Sequence, residues 1–150
     1  MEDMLRYAVY EDMDLLFEWA NDEMVRKNSF SSHYITYEEH QGWYAYLLQR
    51  TDVRQYIYLH DNDAIGQIRV EANGTMGEIS YSICRKYRGM GYGKKMLQLL
   101  TTQIKKDFPH VQKLQGKVKK NNTASQSAFI KSGFAKTGFE TTYVLYELSL

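Results

Sequence analysis

The sequence predicts an α/β (α+β) fold built on a mostly antiparallel sheet. Strand-like runs at Tyr56 to Leu59, Ala64 to Val70 and Glu78 to Ile83 follow one another with only short turns between them, at Asp61-Asn62-Asp63 and Asn73-Gly74. That spacing is what an antiparallel meander requires. Apolar faces of helical period lie on both sides of the meander. A glycine-rich stretch, Arg88-Gly89-Met90-Gly91-Tyr92-Gly93, joins its last strand to a helix-like run from Lys94 to Lys106.

The remaining elements follow in order. Residues 4 to 9 read as a first strand, and residues 11 to 20 as a helix carrying Met13, Leu15, Leu16, Phe17 and Trp19. A short helical turn is expected near Asp22 to Arg26. Thr36-Tyr37-Glu38-Glu39 matches a capping box and opens a helix from 37 to about 49, with Trp43, Tyr44, Leu47 and Leu48 at helical spacing. After the glycine stretch, Met96, Leu97, Leu100 and Ile104 share one helical face, and Pro109 stops that helix. Lys113 to Val118 reads as a strand. Asn121-Asn122 caps a helix over 123 to 132, with Gly133 where a C′ glycine belongs, and Phe139 to Leu148 reads as the last strand.

Bulk properties narrow the class. One hundred and fifty residues, 43% hydrophobic and 25% charged, fit one globular domain, 1–150. No apolar run approaches the roughly 18 residues of a membrane span. Met1-Glu2-Asp3-Met4 lacks a signal peptide's basic start, and a lone cysteine, Cys84, suits a reducing compartment, so the expected location is cytoplasmic. A net charge of +1 and a short Lys117-to-Lys120 cluster argue against a nucleic-acid partner. The four histidines are dispersed, so no metal site is expected. Thirteen tyrosines fit half-buried strand faces.

The glycine stretch is where chemistry is expected. Glycines let backbone N–H groups approach a ligand closely, and the following helix N-terminus offers unpaired donors and partial positive charge. Together these suit a phosphate or pyrophosphate. A P-loop does not fit, because Lys95 follows Gly93-Lys94 and no glycine lies five residues before Gly93. A dinucleotide fingerprint does not fit either: the spacing is G-x-G-x-G, after a meander and in mid-chain.

The stretch does match [QR]-x-x-G-x-[GA] through Arg88, Gly91 and Gly93. Downstream, Asn122-Thr123-Ala124-Ser125 and Phe129-Ile130-Lys131-Ser132-Gly133-Phe134 match N-x-x-[AS]-x-x-x-[YF]-x-K-x-G-F. In this order and context the pair resembles the acetyl-CoA motifs of the GNAT N-acetyltransferase superfamily. The resemblance implies a central sheet of about six to seven strands split into a V, with about four flanking helices. It implies an acetyl-CoA core over 77–134 and an acceptor-binding part over 1–50. The strand Glu78 to Cys84 would carry a bulge, splay from the next parallel strand and pair its backbone at Ser82, Ile83 and Cys84 with pantetheine. The N–H groups of Arg88, Gly89, Met90, Gly91, Tyr92, Gly93 and Lys94 would hold the pyrophosphate. Asn122, Ser125, Phe129 and Lys131 would complete the acetyl-CoA site, which needs no metal.

Acetyl transfer needs a neutral amine, a polarised carbonyl and a thiolate that can leave. Glu78 is the candidate base, on the pantetheine strand in a setting expected to be apolar enough to raise its pKa. The structural alternative is that Glu78 pairs with a nearby Lys or Arg. Many relatives carry a tyrosine, the usual donor to the thiolate, where this chain has Phe129. Ser125, Tyr143 or water could serve instead, or the thiolate could leave unprotonated. Cys84 reads as a bystander thiol.

For the acceptor, Trp19-Ala20-Asn21-Asp22-Glu23-Met24-Val25-Arg26-Lys27-Asn28-Ser29-Phe30 and Glu38-Glu39-His40-Gln41-Gly42-Trp43 resemble the pattern of bacterial GNAT enzymes that acetylate amino-sugar nucleotides. Ala20 stands where those often have Arg, and Glu23 where they often have Pro. The resemblance implies a small-molecule amine, a sugar nucleotide, with Arg26 and Arg69 on its phosphates, Phe30, Trp43 or Tyr44 stacking, and His40 at a hydroxyl. The bland alternatives are that Trp43 is core and that Arg26 pairs with Asp22 along a helix. Competing acceptors are a protein N-terminus, or a polyamine held by Glu11, Asp12, Asp14, Asp22 and Glu23. A different class is a non-catalytic acyl-CoA-binding module. The chain is expected to be a monomer or a homodimer, with strand Tyr143 to Leu148 apolar enough to pair across a dimer.

Overall fold

The computed structural model describes residues 2–150. Its strands are β1 (Asp3–Tyr7), β2 (Val53–His60), β3 (Asp63–Asn73), β4 (Met76–Ile83), β5 (Lys113–Lys119), β6 (Ala135–Phe139) and β7 (Tyr143–Ser149). Its helices are α1 (Met13–Ala20), α2 (Glu23–Asn28), α3 (Tyr37–Gln49), α4 (Tyr92–Asp107) and α5 (Thr123–Lys131), with two short 3₁₀ turns at Tyr10–Asp12 and Arg85–Tyr87. The strands form one sheet in the order β1-β2-β3-β4-β5-β7-β6. β1 to β4 are a continuous antiparallel run, and the pairing of β4 with β5 is parallel.

Strand periodicity divides the core in two. Tyr56 and Tyr58 of β2 join Met96, Leu97, Leu100 and Ile104 of α4 on one face. Val53 and Ile57, with opposite parity, join Met13 and Leu16 of α1 and Tyr44 and Leu47 of α3 on the other. β2 is therefore covered on both sides by side chains alternating at period two. Helix starts follow local chemistry. Thr36 and Glu39 cap α3 reciprocally, Asp22 accepts from the N–H groups of Met24 and Val25 at α2, and Asn122 accepts from that of Ser125 at α5. α1 and α4 have no side-chain cap, and α4 is preceded by Gly91 in the left-handed region.

β4 and β5 share only four residue pairs, Met76↔Lys113 through Ile79↔Gly116. Beyond that point β4 stays with β3 to Ile83, β5 stays with β7 to Lys119, and the two diverge into a fork. Phe129 of α5 is seated at its apex. A Cβ on Gly116 would lie 2.3 Å from the Phe129 ring. The ring is 2% exposed, stacks on Tyr146 at 5.6 Å, and meets Phe134 and Tyr81 edge-on at 4.9 and 5.7 Å.

Several expectations are corrected. No bulge lies in β4: its register with β3 is unbroken from Asn73↔Met76 to Gly66↔Ile83, and the nearest irregularity lies in the β2–β3 pairing, where Ile65 of β3 is the extra residue between Tyr58↔Gly66 and Leu59↔Ala64. The stretch from Phe139 to Leu148 is not one strand. A turn closed by the Glu140 N–H on the Tyr143 carbonyl at 2.9 Å separates β6 from β7, and no glycine or proline at the turn announced it. β7 then lies between β5 and β6, so its backbone is already paired and cannot add a strand across a dimer. α4 begins two residues before Lys94, inside the glycine stretch, and β2 begins three residues before Tyr56.

Gly116→Ala should cost about 1–3 kcal/mol, because a methyl there overlaps a ring packed on its other sides. Gly42→Ala, within α3 and facing open space, should gain about 0.5–1 kcal/mol. Urea midpoints at unchanged m-value would measure both.

Candidate active site

A cleft of ≈ 1620 Å³ runs along the fork, with the first turns of α4 and α5 on one side and α2, α3 and the loop before α3 on the other. Its donor half is built from backbone. Gly89 and Gly91 have φ of +74° and +85°, and nothing lies within 4 Å of where either Cβ would be. The left-handed region demands glycine there, and the open space leaves room for a ligand against the chain. The first-turn N–H groups of Tyr92, Gly93 and Lys94 have no intrahelical partner and no capping side chain. They and the β4 edge beyond Ile79 fit a pyrophosphate followed by an extended arm.

Sequence-predicted donor residues fall into three groups. Ser82, Ile83, Arg88, Gly89, Gly91, Tyr92, Gly93, Lys94, Asn122, Ser125, Phe129 and Lys131 line the cleft. Met90 is 62% exposed and Cys84 donates its N–H to the Ile65 carbonyl at 2.8 Å; neither lines it. Arg88 lines it but is tied to the chain: Nε donates to the Ile83 carbonyl and Nη2 to Asp22, each at 2.9 Å. Its side chain therefore latches the glycine loop to the cap of α2, and the Ile83 carbonyl is taken. Burial works against the Asp22 carboxylate, yet Arg88 and the Val25 and Met24 N–H groups outweigh it and hold the pKa below the usual range.

The acceptor half departs further from expectation. Arg26 does not pair with Asp22. Its guanidinium donates to the carbonyls of Ala20, Ser31 and His33 and to the Ser29 hydroxyl, closing the α2 loop. His40 is 3% exposed, bonds the Met13 carbonyl at 2.9 Å and stacks on Tyr44. Burial lowers its pKa against that bond. Tyr44 is fully buried, its hydroxyl donating to the Val9 carbonyl. Tyr44 is a packing residue, whereas His40 lines the cleft with its ring fixed by the Met13 carbonyl and the Tyr44 stack. Phe30 and Trp43 reach the cleft, 55% and 38% exposed.

Arg69 lies over the Trp43 ring at 5.0 Å and lines the cleft, and it has no hydrogen bond or ion pair among the described residues. Burial lowers its pKa, with Glu71 and Glu78 opposing. Glu78 of β4, on the same face of the sheet, is half exposed and 3.9 Å from Lys117, so the apolar setting expected for it is absent.

The family model of the acetyltransferase (GNAT) domain matches residues 4–135. This chain belongs to the GNAT acetyltransferase family. Membership makes it an acetyl-CoA-dependent N-acetyltransferase with acetyl-CoA as co-substrate, and the uncapped α4 and free β4 edge are consistent with that donor. Solved structures agree on the fold. The aminoglycoside acetyltransferase AAC(6')-Ib, with ribostamycin and coenzyme A, is 21% identical over 99% of this chain and 94% of its own, TM-score 0.86. Spermidine N-acetyltransferase from Vibrio cholerae, with CoA and spermine, is 15% identical over 98% and 95%, TM-score 0.86. The ribosomal L7/L12 α-N-protein acetyltransferase RimL, with CoA, is 18% identical over 97% and 93%, TM-score 0.82. None of the three is named for a sugar nucleotide. No curated protein sequence matches the chain.

Three residues of this GNAT cleft escaped the sequence reading of the site. Gln55 donates to Gln67 at 2.8 Å and Gln67 to the Ser82 hydroxyl at 3.1 Å, a polar ladder across β2, β3 and β4. Two glutamines alternating with apolar strand residues were its signal. Tyr81 lines the fork with its hydroxyl 2.9 Å from Ser125 Oγ, and its period-two spacing with Ile79 and Ile83 reads only as core. Among the described residues no group of three or more His, Cys, Asp or Glu is placed to hold a metal ion, and no helix is long and apolar enough to cross a membrane.

Asp22→Ala removes both a cap and the Arg88 latch. It should cost about 1–2 kcal/mol of stability and raise KM for acetyl-CoA severalfold, read by urea unfolding and steady-state kinetics. Because the folded pKa is depressed, this contribution is present above the unfolded value of about 3.9 and fades as pH falls through the lower folded value.

Proposed function

We propose that this GNAT enzyme transfers acetyl to the primary amine of an anionic small molecule, an amino-sugar nucleotide of the UDP-4-amino-sugar type. The observation that carries this reading is Arg69, a partly buried guanidinium facing the cleft without a partner. Such a group favours a phosphate or carboxylate, which it can hold with two parallel hydrogen bonds. Charge balance supports it. The acceptor half is lined by Arg26, Lys27, Arg69 and Lys117 against Glu39 and Glu78. A polycation would meet net repulsion there.

The acids that a polyamine would need are elsewhere. Asp12 is bonded to Arg6 at 2.8 Å, Asp22 to Arg88 at 2.9 Å and Asp14 to the Tyr37 hydroxyl at 2.7 Å, and neither Glu11 nor Glu23 lines the cleft. Trp43 and Phe30 offer flat faces for a sugar or base. A volume of ≈ 1620 Å³ exceeds the roughly 300–1,000 Å³ of a pocket for one drug-sized ligand, leaving room for a bulky acceptor beside the acetyl-CoA arm.

In this reading the chain acts as one domain, residues 1–50 serving the acceptor and 77–134 the donor. The amine attacks the thioester directly in a ternary complex. Glu78, on the acceptor face beside the fork, accepts the proton the nitrogen sheds, through water in the open cleft, while Lys117 holds the carboxylate in place.

A coenzyme A release assay over UDP-amino sugars, spermidine and kanamycin tests the acceptor. Turnover should be confined to the nucleotide sugars, and Arg69→Ala should raise their KM more than about tenfold with KM for acetyl-CoA unchanged. Turnover on spermidine or kanamycin alone would overturn the acceptor and leave the donor site standing. Glu78→Gln should lower kcat/KM by more than about tenfold and remove the acid limb of the pH–rate profile. An unchanged profile would take Glu78 out of the mechanism.

A further inference from the structure

Breaking the thioester C–S bond leaves an electron pair on sulfur, and the product is a neutral thiol. An O–H group held at the fork can supply that proton as the bond breaks, ahead of solvent. Phe129, at the apex, has none to give. Tyr81 stands two residues past the last β4–β5 pair, Ile79↔Gly116, on the face toward α4 and α5. Its ring is edge-on to Phe129 at 5.7 Å, and its hydroxyl is 2.9 Å from Ser125 Oγ. A Cβ on Gly93 would lie 3.6 Å from the same ring, so the phenol is held between the first turns of two helices. Tyr143, another phenol lining the cleft, has its ring packed on Phe30 at 5.5 Å with Lys117 5.7 Å from its centroid, and no helix N-terminus holds it as Tyr81 is held. Serine hydroxyls at the fork are far weaker acids than a phenol.

We propose that Tyr81 donates the proton to the departing coenzyme A thiolate, with Ser125 as its relay partner. The acceptor nitrogen forms the new N–C bond, and the C–S bond breaks with its electron pair moving to sulfur. The Tyr81 O–H proton passes to sulfur. The Ser125 hydroxyl proton passes to the Tyr81 oxygen. Ser125 is refilled through water by the proton that the nitrogen sheds, which Glu78 takes up first and then returns. Net, one proton moves from nitrogen to sulfur and no tyrosinate persists. Burial pushes the Tyr81 phenol up to about 12, with the Ser125 bond opposing, so it enters each turnover protonated. The proposal rests on the family's acetyl transfer and is independent of which amine is the acceptor.

The test therefore needs no acceptor. Coenzyme A labelled with ¹³C at the methylene beside sulfur is bound to the enzyme, and its thiol is titrated by NMR. A phenol that donates to sulfur stabilises the thiolate, so Tyr81→Phe should raise the bound thiol's pKa by about one unit, about tenfold in the ionisation constant. Coenzyme A affinity at neutral pH should change little. Fluorotyrosine placed at position 81 keeps the shape, makes the phenol more acidic, and should move the thiol pKa the other way. A merely structural Tyr81 would lower the melting temperature of Tyr81→Phe and leave the thiol titration where it was, which would overturn the proposal. Should Tyr81→Phe fail to fold, the fluorotyrosine protein decides, and an unmoved thiol pKa there counts against it equally. With any amine that turns over, the single-turnover rate of Tyr81→Phe should fall about 10²-fold at unchanged KM for acetyl-CoA.

Discussion

The parting of β4 from β5 after Ile79↔Gly116 is the constraint on which the rest of the molecule depends. The Phe129 ring lies against Gly116 where no side chain could be, and the stack it forms with Tyr146, Phe134 and Tyr81 leaves no room for β4 to close over it. Past that point the β4 edge from Ser80 to Ile83 has backbone groups with no strand beside them. Backbone polar groups left dry and unpaired are costly, so this edge has to meet water or a ligand. A co-substrate with an amide-bearing arm would satisfy it, and the uncapped start of α4 offers N–H groups suited to a pyrophosphate.

Donor and acceptor are recognised by different chemistry. On the proposed donor side, main-chain N–H groups are positioned by two left-handed glycines, and the side chains there hold the loop in place. Arg88 illustrates this: it reaches back to the Ile83 carbonyl and across to Asp22. Arg26 is likewise consumed by carbonyls of its own loop. Arg69 differs from both: among the described residues it has no hydrogen-bond or ion-pair partner, only the Trp43 ring, and the proposed acceptor rests on it for that reason.

Much of the fold was legible because its signals are local. The Thr36 and Glu39 capping box, the Asn122 cap, the Asn73-Gly74 turn and the period-two strands each depend on residues a few positions apart, and each stands where the sequence placed it. The donor loop was legible for the same reason, since glycine spacing and a helix start are read within six residues. The acceptor side was much less so. Tyr44 has a residue type that suits a ligand, yet its contact to Val9, 35 positions away, turns it into core, and His40, though at the cleft wall, is tied to Met13, 27 positions away. The Arg88 latch closes over 66 positions, and the seating of Phe129 on Gly116 depends on how α5 crosses the sheet. Nothing in residue spacing encodes such contacts. Tyr81 was hidden differently: a tyrosine alternating with isoleucines looks like core until a hydroxyl partner from α5 is seen beside it.

Amide hydrogen exchange with and without coenzyme A tests the fork most directly. The account predicts that coenzyme A slows exchange at Ser80 to Ile83 and at Gly89 to Lys94, and leaves the Met76 to Ile79 segment, already paired with β5, as it was. Protection confined to other segments, or none along the free β4 edge, would contradict it.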